Sequence, residues 1–304
     1  VAEISIEVGP TLAGERIDRA LALLGNLERQ YAAALVEEGW VFVDERVERR
    51  KSRRLRLGER LRANWPDPTG PPEPLEPPLV RYEDEDLVVL AKPAGLIAHR
   101  THVRDRRPSV ADWALARYPE IAALGGDPLR RGLVHRLDVG TSGLMVIARS
   151  PRALGELAHM VAAHEVERHY LALVAGEAPE RARIEAPIGR DLTDPARMTI
   201  AQGGRPASTV LERHWAGPDT SLCELRLETG RTHQIRVHLA AIGHGVVGDA
   251  RYGVPLAGLD RPFLHAALLR LRRPRSGEPI EVEEPLPQDL HDLARRARTE
   301  PILG

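Results

Sequence analysis

The sequence predicts a two-domain chain that mixes helices and strands, and three observations lead there. The chain has 304 residues, more than one core of ordinary size needs. Helical and strand periodicities both occur within its first 65 residues. A stretch with seven prolines, "PDPTGPPEPLEPP" over 66–78, then separates that small front module from the rest. Proline fixes φ and removes a backbone donor, so this stretch is an extended spacer rather than a helix or central strand. The expected division is a front domain at 1–65, a linker at 66–79 and a large domain at 80–304.

In the front domain, "GERIDRALALLGN" places Ile17, Ala20, Leu21 and Leu24 on one helical face, closed by Gly25 and Asn26. "ERQYAAALVEEG" repeats the pattern with Ala32, Leu35 and Val36, and Gly39 stops it. In "WVFVDERV", Val41, Val43 and Val47 alternate around Asp44-Glu45, which predicts a hairpin. Between Arg46 and Arg62, nine basic residues stand against two acidic ones, Glu48 and Glu59. Charge runs are common on solvated surfaces. On so small a unit, the excess reads more naturally as a footprint for phosphates, with Arg49, Arg50, Lys51, Arg53 and Arg54 as candidate RNA contacts. The order helix, helix, basic hairpin resembles the alpha-L RNA-binding domain. The residues that carry the resemblance are Gly14 to Asp18, Val36 to Asp44, and Leu57-Gly58-Glu59. At "LERQYAA" the chain departs from that family's usual Ser-Arg-Ser helix start.

Composition narrows the function classes. Net charge is -1, so bulk charge announces no nucleic-acid partner, and local charge must carry that reading. Lys51 and Lys92 are the only lysines among 43 basic Lys and Arg residues. A lone cysteine, Cys223, excludes an intrachain disulfide framework or a Cys-based zinc site. The start of the sequence lacks a signal-peptide pattern, and no apolar run approaches the roughly 18 residues of a membrane span. A soluble cytoplasmic protein is the expectation, with monomer as the default state.

In the large domain, "LVVLAKPAGLIAH" is an apolar strand that ends at Lys92. A surface lysine at a turn and a deliberately placed ammonium are both open there. "RGLVHRLDVGTSGLMVIARS" reads as strand, tight turn, strand, with Asp138 where the first strand ends. Taken alone, Asp138 is first a turn-capping aspartate bonding the Thr141 or Ser142 amide, and a catalytic group second. "ETGRTHQIRVHLAAIGHG" reads as a strand, a turn and a helix with Thr232 as N-cap, buried stripe Ile235, Leu239 and Ile242, and stop at Gly243. Arg236 then lies near a helix N-terminus, where the macrodipole disfavours a cation. Such an arginine needs a carboxylate partner, and Asp138 is a candidate. His233 and His238 are five apart on that segment and do not converge, so His233, His238 and His244 are polar helix and turn residues rather than a metal site.

Together, "HRLDVGTSGL", "RHYLALVAG" and "GRTHQIRVHLAAIGHGVVGDARYG" resemble the RluA/RluD family of RNA pseudouridine synthases. "KPAGL" with His99, and "LHAALLRLRRP" over 264–274, match further blocks, so the likeness runs from about residue 80 to 285. Departures are small: Val139-Gly140, Arg149, Arg168 and Arg100 differ from the usual residues. The resemblance implies the α+β class: a mixed, mostly antiparallel sheet flanked by helices. It implies an isomerase that turns uridine in RNA into pseudouridine with no cofactor and no metal. It makes Asp138 the catalytic aspartate and Arg236 its ion-pair partner, keeping the carboxylate ionised and oriented. Tyr170 would stack on the flipped base, Arg136 would hold the vacated stack, and Leu264 would pack against the base. Lys92, His135, Thr141, Arg231, His233 and Gln234 complete the candidate RNA contacts. Large-subunit (23S) ribosomal RNA, or a pre-ribosomal particle, is the implied partner.

Two rivals remain. A non-catalytic RNA-binding or ribosome-assembly factor is opposed by the intact Asp138, Tyr170 and Arg236. A base-excising glycosylase would need a second carboxylate to activate water, and the Asp138 motif contains none.

Overall fold

The computed structural model describes residues 2–25, 27, 29–65, 77–101, 105, 107–191, 193–194 and 197–303. Most of the expected linker, 66–76, and Asn26 lie outside the described residues. The chain divides into two compact units. The first joins residues 1–75 to 99–131, and the second joins 76–98 to 132–304. A single cut in the linker therefore differs from the packing, because 99–131 gathers with the front unit.

The first unit holds β1 (Ala2–Glu7), α1 (Ile17–Gly25), α2 (Arg29–Glu38), β2 (Val41–Val43), β3 (Arg46–Val47), β4 (Arg60–Trp65) and α3 (Val110–Arg117). Its antiparallel sheet has the order β1-β4-β2-β3. The expected stripes form the core: Ile17, Ala20, Leu21, Ala32, Leu35 and Val36 are fully buried, and Leu129 joins them. Leu24 and Val47 are corrections to the periodic reading, since both are exposed. The hairpin turns as expected, at Asp44 and Glu45, which both adopt left-handed backbone (φ 48° and 61°). That is the pairing a two-residue hairpin loop requires to match strand twist.

The second unit holds β5 (Leu79–Glu83), β6 (Leu87–Lys92), β7 (Ser142–Ala148), α4 (Pro151–Ala162), β8 (Glu167–Ala175), β9 (Arg181–Glu185), β10 (Ile188–Arg190), β11 (Met198–Ile200), β12 (Ser208–Ala216), β13 (Thr220–Leu227), α5 (Gln234–Ala241), β14 (Leu264–Arg272), β15 (Pro279–Glu283) and α6 (Gln288–Ala297). Nine strands form one sheet in the order β5-β6-β7-β14-β8-β13-β12-β9, with β15 paired to β14. Every pair is antiparallel except β7 with β14, so the sheet is mixed and mostly antiparallel, as the resemblance implies. The hairpin β10–β11 stands apart from it.

Sequence accounts for the main features. β6 and β7 are buried along their whole length and apolar but for Lys92 and Ser142. Leu157 and Met160 of α4 pack on Leu87, Leu144, Leu269 and Ile280 of the sheet. Ser150 starts α4 by accepting the Ala153 N–H at 3.1 Å, with Pro151 in the first turn. Where β7 meets β14, Gly143 has φ 110°, and a Cβ there would fall 2.2 Å from the Ala266 carbonyl oxygen. Only glycine permits that approach. Among the described residues, no helix is long and apolar enough to cross a membrane.

Candidate active site

Asp138 does not end a strand, as the periodicity predicts. Residues 134–138 run as irregular chain after a single bridge from Leu133 to Ile147, and β7 begins at Ser142. Nor does its carboxylate cap the turn: the turn closes through the Thr141 N–H donating to the Asp138 backbone carbonyl at 3.1 Å. The side chain is free for other work.

Two devices hold this loop. The Gly95 N–H donates to the Val139 carbonyl at 2.8 Å. Lys92 Nζ donates to the carbonyls of Pro93, Leu96 and Val139 at 2.9, 2.8 and 3.4 Å. An ammonium has three donors, and three backbone acceptors take them. Lys92 is buried, so it is neither a surface lysine nor an RNA contact: it anchors the loop that carries Asp138. Burial pulls its pKa down to about 7, against the opposing pull of Asp138.

Arg236 comes from α5. That helix starts at Gln234, with His233 rather than Thr232 as N-cap. His233 is left-handed (φ 57°, ψ 19°), a costly conformation for a residue with a Cβ and one that clusters at functional sites. Gln234 makes the turn. Its Oε1 accepts from the Thr229 hydroxyl and the Arg231 N–H, at 2.6 and 3.0 Å. Its Nε2 donates to the Ser208 carbonyl and to Thr209 Oγ1, at 2.9 and 3.0 Å. With every polar atom taken, Gln234 is structural, which corrects its assignment to RNA. All of Gln234 to Leu239 is buried, more than a stripe, and Gly243 (φ 83°) ends the helix as expected.

The arginine meets Asp138, and a second carboxylate besides. Arg236 Nη1 donates to Asp138 Oδ2 at 3.1 Å, while Nε and Nη2 grip Asp249 at 2.6 and 2.8 Å. Burial works against the guanidinium's charge, but Asp249 and then Asp138 outweigh it and hold its pKa above the ordinary value. Burial likewise opposes ionisation of Asp249, and Arg236 wins, keeping that carboxyl below the usual range. The guanidinium also lies over Tyr252, 4.8 Å from the ring centroid. Asp249 and Tyr252 escaped the residue-level reading, although both stand in "GDARYG". The signal was the arginine itself: a buried fork offers two faces, and one carboxylate satisfies only one.

Asp138 is thus held by one oxygen. Oδ2 faces Arg236 and lies 3.8 Å from His233 Nε2, whereas Oδ1 accepts no hydrogen bond from the described residues. His233 Nδ1 sits 2.8 Å from the Tyr252 hydroxyl, which also accepts the Met198 N–H at 2.8 Å. Burial lowers the His233 pKa more than Asp138 raises it, and the neighbouring arginines lower it further.

Asp138, Arg236, Tyr170, Arg136, Thr141, Arg231, His233 and Leu264 line one open cleft, with Leu137 and Leu227 in its wall. Tyr170 on β8 is buried, which raises its hydroxyl pKa. Arg136 is exposed at the cleft, and no described residue binds its side chain. His135 is tied to β7: its Nε2 accepts the Val146 N–H at 3.0 Å. Burial, then Arg168, push its pKa down to about 3, so the ring is a neutral structural acceptor. His238 is satisfied by Thr209 Oγ1 and the Ala186 carbonyl, and His244 by the Ala175 carbonyl. Among the described residues, no group of three or more His, Cys, Asp or Glu is placed to hold a metal.

In the first unit, the basic run is partly occupied. Arg50 pairs with Glu48, Lys51 with Glu37, and Arg53 with both Glu48 and Glu59. Arg49 and Arg54 donate to the carbonyls of Glu37 and Gly14. Arg46, Arg56 and Arg60 are exposed, and no described residue binds their side chains.

A cleft with one free carboxylate oxygen, an arginine clamp and an apolar-aromatic wall is a place to hold a flat base against an acid. Residues 86–241 match the RNA pseudouridylate synthases, and the chain belongs to that family of RNA-modifying isomerases. It is 44% identical, over 96% of its length and 92% of the relative's, to a Chloroflexus aurantiacus protein named an uncharacterized RNA pseudouridine synthase. It is 36% identical, over 98% of this chain and 89% of the other, to the ribosomal large subunit pseudouridine synthase D of Nitrosomonas europaea. Among solved structures, human RNA pseudouridylate synthase domain containing 1 superposes with a TM-score of 0.54 at 29% identity, covering 76% of this chain and 99% of that one.

Proposed function

We propose that this isomerase acts on uridine in large-subunit ribosomal RNA, with Asp138 as the catalytic residue. The carrying observation is the asymmetry of Asp138: Oδ2 is tied to Arg236, while Oδ1 faces a cleft walled by Tyr170 and Leu264. A fixed carboxylate with one free oxygen can attack the sugar or the base, or take a sugar proton. The N1–C1′ bond breaks, the uracil turns, C5 bonds to C1′, and C5 gives up its proton while N1 gains one, so the product is an isomer. No water enters the reaction, so one acid suffices. Tyr170 offers a ring face for the flipped base, and Arg136 stays with the RNA outside it. The kinship to a large-subunit synthase supports the choice of RNA.

The first unit is an alpha-L-type RNA-binding domain in this reading. Its free cations Arg46, Arg56 and Arg60, with exposed Arg49 and Arg50, meet phosphates, whereas Arg53 braces the module. The enzyme works as a cytoplasmic monomer. Chemical mapping of pseudouridine after incubation with large-subunit RNA tests the proposal. Wild-type protein places the modification at defined uridines and Asp138→Asn places none. Modification by Asp138→Asn, or none by the wild type on that RNA, overturns it.

A further inference from the structure

His233 is a strained residue whose ring its own helix does not use. An N-cap side chain ordinarily accepts an N–H from the first turn. The His233 ring makes no such bond, yet the residue keeps its φ of 57°. The ring stands in the wall of the catalytic cleft instead. Each ring nitrogen faces one group there: Nδ1 the Tyr252 hydroxyl at 2.8 Å, and Nε2 the Asp138 carboxylate at 3.8 Å. Tyr252 is itself fixed. It is buried, and the guanidinium groups of Arg236 and Arg197 lie 4.8 and 5.4 Å from its ring centroid. Its hydroxyl accepts the Met198 N–H at 2.8 Å.

The direction of the protons follows from these partners. Burial disfavours a charged imidazole, and Arg236, Arg251 and Arg136 disfavour it further, against the pull of Asp138. The neutral ring carries one N–H. A lone pair at Nε2 would set acceptor against acceptor at Asp138, whereas an N–H there faces the carboxylate as a donor. With the proton on Nε2, Nδ1 accepts, and the Tyr252 hydroxyl donates to it. Met198, Tyr252 and His233 then all donate in one direction, toward Asp138 Oδ2, the oxygen that Arg236 already holds. Hydrogen bonds chained in this way polarise one another.

We propose that His233 is a positioning residue for Asp138: its Nε2–H closes onto Oδ2 when the uridine enters, and Tyr252 holds the ring in the tautomer that this requires. At 3.8 Å the contact is too long for a hydrogen bond in the free protein, the state in which catalytic bonds are often long. Two donors on Oδ2 keep the carboxylate ionised and leave Oδ1 as the oxygen that reacts. The inference rests on Asp138 as the catalytic group, whichever RNA is modified.

The test uses the full chain and an RNA that the wild type modifies. His233→Asn installs a residue that tolerates the left-handed backbone but is too short to bridge Tyr252 and Asp138. It lowers kcat about 10- to 100-fold and changes KM less than about 3-fold. It also moves the acid limb of kcat to higher pH, because the ionised carboxylate has lost a donor. Tyr252→Phe, which keeps the ring against Arg236, lowers kcat about 3- to 10-fold and moves the limb the same way. It decides alone should His233→Asn fail to fold in a thermal melt. His233→Gln, which presents an amide N–H near the position of Nε2, recovers part of the loss. The double variant is no slower than His233→Asn, since Tyr252 acts through the ring, whereas an effect of the lost Met198 bond on the hairpin would add in full. A raised KM with kcat kept makes His233 an RNA contact and overturns the proposal. So does an unmoved acid limb, or full additivity. Asp138→Asn that modifies RNA removes the catalytic reading and the role of His233 with it. An inactive Asp138→Asn beside unaltered His233→Asn and Tyr252→Phe removes the role of His233 alone.

Discussion

The two units use arginine in opposite ways. In the first, arginines stand in water beside their own carboxylates: Arg50, with a side chain 78% exposed, pairs with Glu48. In the second, Arg236 is 11% exposed and shares two carboxylates, one of them, Asp249, 1% exposed. Water screens the first kind, leaving each pair worth about 0–1 kcal/mol. The second kind leaves an uncompensated buried charge when one partner goes, at a cost of about 3–5 kcal/mol. Charge counted along a sequence therefore locates a footprint, whereas burial decides where charge controls chemistry.

Four experiments bear on that contrast, from the largest effect down. Asp138→Asn is nearly isosteric and is expected to lower turnover by at least about 10^3-fold, with RNA affinity changed only a few-fold. Single-turnover pseudouridine formation beside a filter-binding titration separates the two. Asp249→Asn leaves Arg236 half-gripped. It is expected to cost about 3–5 kcal/mol in denaturant unfolding, and turnover with it, although the substituted side chain would touch no RNA. A loss in turnover without loss of stability would place Asp249 in the chemistry and blur the contrast.

The third is a pH titration of stability. His135 has an ordinary pKa near 6.5 when unfolded and about 3 in the fold. Between those values only the unfolded chain binds the proton, so stability is complete above about pH 6.5 and falls as pH is lowered towards 3. His135→Gln should flatten that fall in a series of thermal melts, and an equal slope in both proteins would exclude the assignment. The smallest effects belong to the front unit. Arg56→Ala with Arg60→Ala is expected to lower the salt dependence of RNA binding by about one to two contacts and leave the melting temperature nearly still. Arg53→Ala should do the reverse, because its partners are Glu48 and Glu59. If both variants act alike, the basic run is a solvated surface.

Much of this arrangement was legible in the residues. The helical stripes of α1 and α2, the turn at Asp44-Glu45 and the stop at Gly243 follow from local chemistry. The need of Arg236 for a carboxylate followed from its place near a helix start. The misreadings share one cause. Lys92, His135 and Gln234 are polar residues inside functional motifs, and motifs mix groups that meet the substrate with groups that hold those groups. Only the hydrogen-bond partners separate them: three carbonyls for Lys92, one amide for His135, four neighbours for Gln234. Thr232 lost the N-cap to His233 because Gln234 reaches back to close the turn, which a propensity for caps does not foresee. Leu24 continued the period of α1 past the end of what the module covers.

β14 is made late yet lies in the middle of the sheet. It pairs with β8 along its length, with β7 at its start through His265 and Ala266, and with β15 at its end. Its first residue, Leu264, is also a wall of the cleft. As the chain leaves the ribosome, β6, β7 and β8 emerge with an open seam where β14 will lie, and that seam leaves backbone N–H and C=O groups unpaired. The loop bearing Asp138 thus acquires its opposite wall only after residue 264 is synthesised. Such a long-range insertion is the slow, aggregation-exposed kind of step. On the proposed reading of the front unit as an RNA-binding module, a nascent chain binds RNA well before it is competent to modify any.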